Sequence, residues 1–513
     1  MDLDPADCYS ALAAHDARYD GRFYVGVTST GIYCRPVCRV RLPRRGNCRF
    51  FEHAAAAEQA GFRPCLRCRP ELAPQGRMAW SIHDASSALA EQAARWLDRP
   101  QAADDLADDG PLMARLAARL GISDRHLRRI FERQFGVSPL AYLQTRRLLC
   151  AKQLLSDSAL SVTRIAALCG FASVRRFNAA FAQAYRMNPS ALRRQTREGA
   201  SPPEGRDVQV RLGWRPPYDV DALLGFFAER ALPGVHWVGR HEGLPAMAAT
   251  LCLPGPDGPR AGALLVRFDA PRNRVELTVP AALCDVLPEL LWRVRGWLDL
   301  DADPLAIDAL LGHAFPGGAG WRVPGTLDGF ELAVRAILGQ QVSVAAGCTL
   351  AARLVTHFGK PLGTPQALPV DRLFPDAATL ARAEPDHLGR LGVTRQRQRA
   401  IQSLATAMAD GHLRLDGGAD VQATLQGLTA LPGIGDWTAH YIAMRALRWG
   451  DAFPAADVAL HKALGIPRGA QAAAQAEAHA AIWRPWRSYA VLRAWGGLHL
   501  NNNPEPGKQV ATL

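Results

Sequence analysis

Four cysteines near the start of the chain have the residue type and the spacing of metal ligands. Cys34 and Cys38 form a C-x3-C pair in GIYCRPVC, and Cys65 and Cys68 form a C-x2-C pair in FRPCLRC. Two close pairs separated by a short module can place four thiolates tetrahedrally around Zn²⁺. Because so small a segment buries little apolar surface, bound metal would supply much of its folding energy. On spacing alone, a purely structural zinc ribbon is the simpler interpretation.

The second half of the chain carries a glycine hairpin followed by one aspartate. In LPGIG (431–435), Gly433 and Gly435 allow a tight turn between two helical patterns, and backbone N–H groups in such a turn can approach a phosphate closely. Asp457 follows, in a loop with Pro454 and before another helix. Its carboxylate can stabilise developing positive charge or activate water. Two alternatives stay open, since LPGIG can be a plain helical hairpin and Asp457 only an N-cap.

Length, composition and charge limit what these residues can belong to. At ~100–200 residues per domain, 513 residues predict roughly three to four domains. A hydrophobic fraction of 48% and a charged fraction of 21% exclude a disordered or fibrous protein. The net charge of +12, nearly all of it in the first two hundred residues, predicts an acidic partner, most often nucleic acid or a membrane surface.

The sequence also predicts the compartment and the division into domains. No apolar run reaches the ~18 residues of a membrane helix, and MDLDPADCYS lacks the pattern of a signal peptide, so we expect a cytoplasmic protein. Residues 99–111 are predicted to form a loop between helices, and the Pro/Gly-rich stretch 196–206 is predicted to be a linker. The predicted domains are 1–80, 81–196, 207–290 and 291–505.

The context of the cysteines adds a specific resemblance. TSTGIYCRPVCRVR followed by AGFRPCLRCRP resembles the zinc domain of the Ada family over residues 8–75. The resemblance implies that all four cysteines bind one Zn²⁺ and that Cys34 irreversibly accepts a methyl group from a methylphosphotriester in DNA. Losing one thiolate charge would change the affinity for DNA by about two orders of magnitude. Flanking arginines are either phosphate contacts or a solvated basic face: Arg35, Arg39, Arg41 and Arg63.

Two helix-turn-helix patterns follow the cysteines. The first turns at Gly121 and opens its second helix at Ser123, and the other repeats this with Gly170 and Ser173. The tandem pair resembles the AraC-type DNA-binding domain, whose second helices enter the major groove. The predicted DNA contacts on these second helices are Arg125, His126, Arg129, Arg175, Arg176 and Asn178.

The second half has a resemblance of its own. RPPYD (215–219), FELAVRAILGQQVSVAA (330–346), the hairpin, Asp457 and WRPWRSYA (483–490) resemble the AlkA-type 3-methyladenine DNA glycosylases of the helix-hairpin-helix superfamily. This implies a TATA-binding-protein-like α+β domain before an all-helical glycosylase domain. The expected fold class is therefore a multidomain, mainly α protein: a small zinc α/β domain, an all-α double helix-turn-helix domain, the α+β domain and the glycosylase domain.

The resemblance also predicts the reaction. Trp437 stands where strand-cleaving members carry a Schiff-base lysine, so we expect a monofunctional glycosylase that leaves an abasic site. Trp437, Tyr441 and Trp495 would form an electron-rich pocket for a cationic alkylated purine, unless they are ordinary core aromatics. Asp457 would stabilise the oxocarbenium-like sugar and orient water. The hairpin, with Gly433 and Gly435, would bind DNA and could hold a monovalent cation.

Two positions depart from the family pattern. Gln341 replaces an aliphatic residue that wedges into the duplex, and Gly496 replaces a pocket aromatic, so we expect a wider pocket. The predicted partners are double-stranded DNA, at alkylated and promoter sites, and RNA polymerase, with no membrane. The alternative is an AraC-type transcription regulator whose C-terminal half binds DNA without catalysis.

Overall fold

The computed structural model of the chain describes residues 4–75, 85–100, 112–158, 160–196, 207–363 and 368–502. They form two compact units. The first takes in residues within 1–216, 224–303 and 355–374, and the second takes in residues within 217–223, 304–354 and 375–513. The loop predicted at 99–111 and the linker predicted at 196–206 lie outside the described residues, except at their first positions.

The first unit begins with a small sheet that brings the cysteine pairs together. Its elements are α1 (Pro5–Ala13), β1 (Tyr24–Val27), β2 (Ile32–Cys34), β3 (Cys48–Phe51), α2 (Ala54–Gln59) and β4 (Arg63–Pro64). The strand order is β3-β1-β2-β4, and only the β2–β4 pairing is parallel. In that register Tyr33 pairs with Pro64, so Cys34 and Cys65 follow at neighbouring positions.

Among the described residues, seven helices come next in the first unit. They are α3 (Ala85–Leu97), α4 (Leu112–Arg119), α5 (Asp124–Phe135), α6 (Pro139–Asp157), α7 (Val162–Leu168), α8 (Val174–Tyr185) and α9 (Pro189–Thr196). The turns before α5 and α8 contain Gly121 and Gly170, both at positive φ, and Ser123 and Ser173 cap the two helices with their side chains. The predicted pair of helix-turn-helix units is confirmed.

A buried ionic network joins the cysteine domain to α6. The ammonium of Lys152 donates to the backbone carbonyl of Cys65 at 3.1 Å and pairs with Glu71. Arg69 bridges Glu71 at 2.9 Å and Asp157 at 2.8 Å. Lys152 and Glu71 are almost fully buried, so each charge depends on the others for compensation. The two domains are therefore packed together through matched charges.

Glu58 gives this contact a pH dependence. Its carboxylate accepts hydrogen bonds from the hydroxyls of Tyr33 at 3.0 Å and Thr145 at 2.7 Å. Burial raises the pKa of Glu58 from 4.5 to about 7, although these hydrogen bonds and nearby Lys152 lower it. Between these two values the folded state binds more protons than the unfolded state. The free energy of unfolding therefore falls as pH rises through this range.

We expect Glu58→Gln to stabilise the first unit at pH 8. The change removes the cost of ionising a largely desolvated carboxyl, and the remaining solvent contact of the residue limits the gain to about 2 kcal/mol. Denaturant titration at pH 4.5 and pH 8 measures the effect, which should vanish at the lower pH. Glu132→Gln, an exposed change on α5, is the control. Equal stabilisation at both pH values would contradict the prediction.

An antiparallel sheet follows in the chain. Its strands are β5 (Val208–Gly213), β6 (His236–His241), β7 (Leu244–Gly255), β8 (Gly258–Asp269) and β9 (Arg274–Val279), in the order β5-β9-β8-β7-β6. Every pairing is antiparallel. Two helices accompany these strands, α10 (Val220–Ala228) and the almost wholly buried α11 (Leu287–Trp297). The predicted α+β domain is confirmed.

The remaining elements are helices. They are α12 (Pro304–Leu311), α13 (Gly329–Leu338), α14 (Val344–Phe358), α15 (Ala377–Ala381), α16 (Pro385–Arg390), α17 (Arg395–Ala409), α18 (Val421–Thr429), α19 (Asp436–Arg445), α20 (Val458–Ala463), α21 (Ala472–Ala480) and α22 (Arg487–Asn502). The buried α13 packs against α17 and α19 at the centre of the second unit. Among the described residues, no helix has the length and apolar content needed to cross a membrane. The predicted multidomain, mainly α fold is confirmed.

Candidate active site and candidate metal centre

The LPGIG hairpin connects α18 to α19 and presents backbone donors. Gly433 has a φ of 79°, which favours glycine, and Ile434 is buried as the anchor of the turn. Gln340 braces the hairpin by donating to the Gly433 carbonyl and to Thr438 Oγ1, both at 3.0 Å. Gly435 is the N-cap of α19 and has no side chain with which to cap it. The first N–H groups of α19 are therefore available to an anion such as a phosphate.

The carboxylate of Asp457 is fixed by three donors. It caps α20 by accepting from the backbone N–H of Leu460 at 2.6 Å. The indole N–H of Trp437 donates to Oδ2 at 2.7 Å, and that of Trp495 donates to Oδ1 at 3.0 Å. The N-cap interpretation is thus correct but incomplete, because two indoles also hold this half-buried group. A carboxylate oriented in this way can face a reacting centre without reorganising.

The three predicted pocket aromatics lie together around Asp457. Trp437 and Tyr441 stack with ring centroids 5.3 Å apart and an interplanar angle of 7°. The Tyr441 and Trp495 centroids are 6.3 Å apart. All three side chains are half-buried, unlike fully enclosed core residues. Such ring faces can hold a flat cationic base.

Two residues that sequence reasoning missed support this arrangement. His461, one turn into α20, contacts the Ala455 carbonyl through Nε2 at 2.6 Å and so holds the loop that carries Asp457. Arg445 donates to the Tyr441 hydroxyl at 2.5 Å and to the Pro324 carbonyl at 2.6 Å. Each lies four residues after a predicted site residue, His461 after Asp457 and Arg445 after Tyr441, and this spacing on a helix could have indicated them.

The two departures from the family pattern fare differently. Gln341 lies exposed between α13 and α14 with a φ of 55°, so its side chain stands at a strained turn beside Gln340. At Gly496, where we expected a wider pocket, the space beside the glycine is occupied. The ring of Trp321 lies only 1.8 Å from where a Cβ on Gly496 would be. An aromatic ring therefore fills that position from another part of the chain.

The four predicted cysteine ligands converge. Their sulfurs all lie within 4.8 Å of one another, and Cys34, Cys38 and Cys65 are buried. Hydrogen bonds among the four thiols lower the pKa values of Cys65 and Cys38 and raise that of Cys34, and burial raises that of Cys68. A tetrahedral Zn²⁺ with Zn–S bonds of ~2.3 Å needs sulfurs about 3.8 Å apart, so the group fits this ion.

The arginines near this centre differ in availability. Arg35 is turned inward, because its guanidinium pairs with Asp20 and donates to the Cys68 carbonyl at 2.9 Å, so the phosphate contact predicted for it is wrong. Arg39 and Arg41 are exposed, and Arg63 on β4 is half-buried. Arg39, Arg41 and Arg63 are therefore able to contact a phosphate.

The predicted DNA contacts lie on the outer faces of α5 and α8. On α5, Arg125 and Arg129 are exposed, and Arg129 bonds to the ring of His126 at 2.9 Å. On α8, the exposed residues are Arg175, Arg176 and Asn178. These side chains stand near the N-termini of the two second helices, where bases are read in known helix-turn-helix proteins.

Comparison with known families assigns a class to each part. The model of the family described as "Metal binding domain of Ada" matches residues 7–71, and a "Helix-turn-helix domain" matches residues 116–195. An "AlkA N-terminal domain" matches residues 209–328, and an "HhH-GPD superfamily base excision DNA repair protein" matches residues 334–488. The order of the four matches defines a regulator fused to a DNA repair glycosylase.

Curated relatives narrow the class. A probable bifunctional transcriptional activator/DNA repair enzyme AlkA from Mycobacterium tuberculosis is 39% identical over 98% of this chain and 99% of its own length. The DNA-3-methyladenine glycosylase 2 of Escherichia coli is 34% identical over 55% of this chain and 95% of its own length. The Ada protein of Escherichia coli is 36% identical over 27% of this chain and 35% of its own length. The chain belongs to the family of bifunctional transcriptional activator/DNA repair enzymes of the AlkA type.

Proposed function

We propose that this protein is a monofunctional DNA glycosylase for alkylated purines such as 3-methyladenine, fused to a zinc-thiolate methyl acceptor and an AraC-type regulator. The observation that carries the first activity is the Asp457 carboxylate, held by two indoles beside half-buried aromatic rings. The domain limits that we propose remain 1–80, 81–196, 207–290 and 291–505.

The glycosylase reaction begins with extrusion of the damaged nucleotide from the duplex. An N3- or N7-alkylated purine is cationic, and stacking against Trp437, Tyr441 and Trp495 stabilises it by ~0.5–2 kcal/mol per ring. This charge already makes the base a good leaving group, so no strong acid is needed. Asp457 stabilises the positive sugar as the N-glycosidic bond breaks and orients water for its hydrolysis. Trp437 offers no amine, so the backbone stays intact.

The hairpin and the turn at Gln341 would hold the duplex. The N–H groups after Gly433 and Gly435 would bind one phosphate without reading sequence. Gln341, exposed at its turn, would fill the gap that the extruded nucleotide leaves. Carbonyls of the hairpin would hold a monovalent cation, although the Gly433 carbonyl already accepts from Gln340.

Multiple-turnover base release tests the enzyme assignment. Purified protein incubated with methylated DNA should release free 3-methyladenine in more than stoichiometric yield, and the abasic product should stay uncut until treated with alkali. The alternative is a regulator whose C-terminal half binds DNA without catalysis. It predicts that the protein releases no more 3-methyladenine than a sample without protein. That second result would reject the glycosylase.

The cysteine centre would accept methyl groups from DNA. A Zn²⁺ ion held by Cys34, Cys38, Cys65 and Cys68 would keep the sulfurs deprotonated and therefore nucleophilic. In the transfer, Cys34 Sγ bonds to the methyl carbon as the bond from that carbon to the phosphotriester oxygen breaks, which leaves a phosphodiester anion. The protein loses one negative charge, and the exposed Arg41 and the half-buried Arg63 would then hold DNA more tightly.

We expect a single methyl group on Cys34 after incubation with methylphosphotriester DNA. Cys34 and Cys65 come directly after the paired residues of the parallel strands β2 and β4. The resemblance to the Ada family assigns the acceptor role to Cys34. Peptide mass spectrometry locates the added methyl, and Cys48→Ser, outside the four-cysteine group, should leave the yield unchanged. Methylation of Cys38, Cys65 or Cys68 instead would overturn the assignment.

The helix-turn-helix pair would make this methylation a transcriptional signal. Arginine pairs well with guanine and asparagine with adenine, and the exposed candidates on α5 and α8 supply both. The exposed candidates are Arg125, Arg129, Arg175, Arg176 and Asn178, and the half-buried His126 lies beside Arg129. Binding at a promoter would recruit RNA polymerase, and a protein that acts on chromosomal DNA in this way would work in the cytoplasm.

A further inference from the structure

The segment from Gly318 to Gly325 runs along the candidate active site. At one end, Gly318 leaves room for the side chain of Arg493, which lies 2.5 Å from where a Cβ on Gly318 would be. At the other end, the carbonyls of Pro324 and Gly325 accept from Arg445, the residue that holds the Tyr441 hydroxyl. The segment therefore spans from α22 to α19, the two helices that carry the pocket aromatics.

Trp321 stands in the middle of this segment, against α22. The outer carbons of its six-membered ring lie 1.8 and 2.0 Å from where a Cβ on Gly496 would be. Any other residue at 496 would collide with the ring. Gly496 directly follows Trp495, whose indole binds Asp457. Trp321 is half-buried, as the three pocket aromatics are, so part of it stays accessible.

The backbone on both sides of Trp321 is held rigidly. Gly320 accepts from the Asp219 backbone N–H at 2.9 Å and has a φ of 77°. Arg322 is almost fully buried, lies over the ring of Tyr218 at 4.6 Å and donates to the Pro217 carbonyl at 2.9 Å. The fixed backbone limits where the Trp321 side chain can lie, and its close contact with Gly496 on α22 holds the ring there, so the ring can define a wall.

We propose that Trp321 is a fourth aromatic wall of the base pocket and restricts the size of the alkylated purines that enter it. The inference rests on the proposed glycosylase function. The wall comes from the segment before α13 rather than from position 496, and glycine at 496 is what admits it. A face of this kind adds attraction for a cationic base and removes space for a larger adduct.

Steady-state excision by Trp321→Ala tests the proposal with two lesions of different size. For 3-methyladenine we expect a KM about tenfold higher with a smaller change in kcat. For 1,N6-ethenoadenine, which carries an additional ring, we expect kcat/KM relative to that for 3-methyladenine to rise at least tenfold. Trp321→Leu keeps apolar volume without the ring and should change the ratio in the same direction, whereas Trp321→Phe should restore most of the wild-type ratio.

Trp486→Ala is the matched control. Trp486 is another half-buried tryptophan of the same unit, packed edge-on against Tyr489, and it lies outside the proposed pocket. Its loss should lower thermal stability and leave the lesion ratio unchanged. Folded Trp321→Ala and Trp321→Leu proteins with wild-type KM and wild-type ratio would overturn the proposal. The glycosylase assignment would survive that result as long as wild-type release is multiple-turnover.

The contact with Gly496 gives a second, independent test. Gly496→Ala should lower the melting temperature and 3-methyladenine release in the wild-type background, because its Cβ meets the ring. In the Trp321→Ala background, Gly496→Ala should be nearly neutral. In that same background, Gly496→Tyr should lower kcat/KM for 1,N6-ethenoadenine relative to that for 3-methyladenine. If Gly496→Ala were equally harmful in both backgrounds, the ring would not occupy this position and the proposal would fail.

Discussion

Asp457→Asn is expected to slow release of 3-methyladenine by about 10³-fold while leaving DNA binding intact. The change removes the negative charge that faces the positive sugar. It also misplaces a donor, because the asparagine NH₂ would meet an indole N–H from Trp437 or Trp495, both of which now donate to the carboxylate. Single-turnover excision with excess protein measures the chemical step apart from binding.

Asp376→Asn is the matched control for this experiment. Asp376 is also an N-cap, accepting from the Thr379 backbone N–H at 2.7 Å, and it belongs to the same unit. Asparagine and aspartate cap helices about equally well, so this variant should excise at the wild-type rate. A wild-type rate for Asp457→Asn would show that the carboxylate caps α20 and does nothing in the reaction.

Removal of the metal is expected to unfold the cysteine domain and spare base release. Structural zinc sites contribute about 10–16 kcal/mol, and this sheet of four short strands has little else to replace such a term. Cys65→Ala should lower the bound Zn²⁺ to none per chain and make residues 4–75 sensitive to protease. Asp457 and the pocket aromatics belong to the other unit, so excision should continue.

Cys48→Ser is the comparison for the metal experiment. Cys48 begins β3 and stands outside the four-cysteine group, so its replacement should leave one Zn²⁺ per chain by elemental analysis. If Cys65→Ala retained a full equivalent of Zn²⁺ and resisted protease, the four sulfurs would not form the metal centre.

Short-range patterns predicted much of the molecule. The C-x3-C and C-x2-C pairs needed only a parallel strand pairing to bring Cys34 next to Cys65. The turn glycines and serine caps of α5 and α8 specify local geometry within a few residues. Trp437 and Tyr441 share a helix face because they are four residues apart. Each of these inferences depends on one element or on two elements that a familiar motif already relates.

Contacts between distant segments escaped prediction. Nothing near Gly496 in the sequence indicates that a ring from position 321 fills its space. Likewise, Arg35 pairs with Asp20 because of how the chain folds around the cysteines. From the sequence, Arg35 looks like any other arginine free to contact a phosphate. Such partners are set by packing in three dimensions, which the order of residue types along a chain does not encode locally.

The link between Lys152, Glu71 and the carbonyl of Cys65 has a consequence for dissecting this protein. A fragment beginning after residue 80 would retain Lys152, lose both of these partners, and expose to water the face of α6 that packs on the cysteine domain, including Leu149. Separately expressed halves of the regulator would each expose this interface, whereas residues 4–196 kept in one piece would retain the ammonium with its carboxylate.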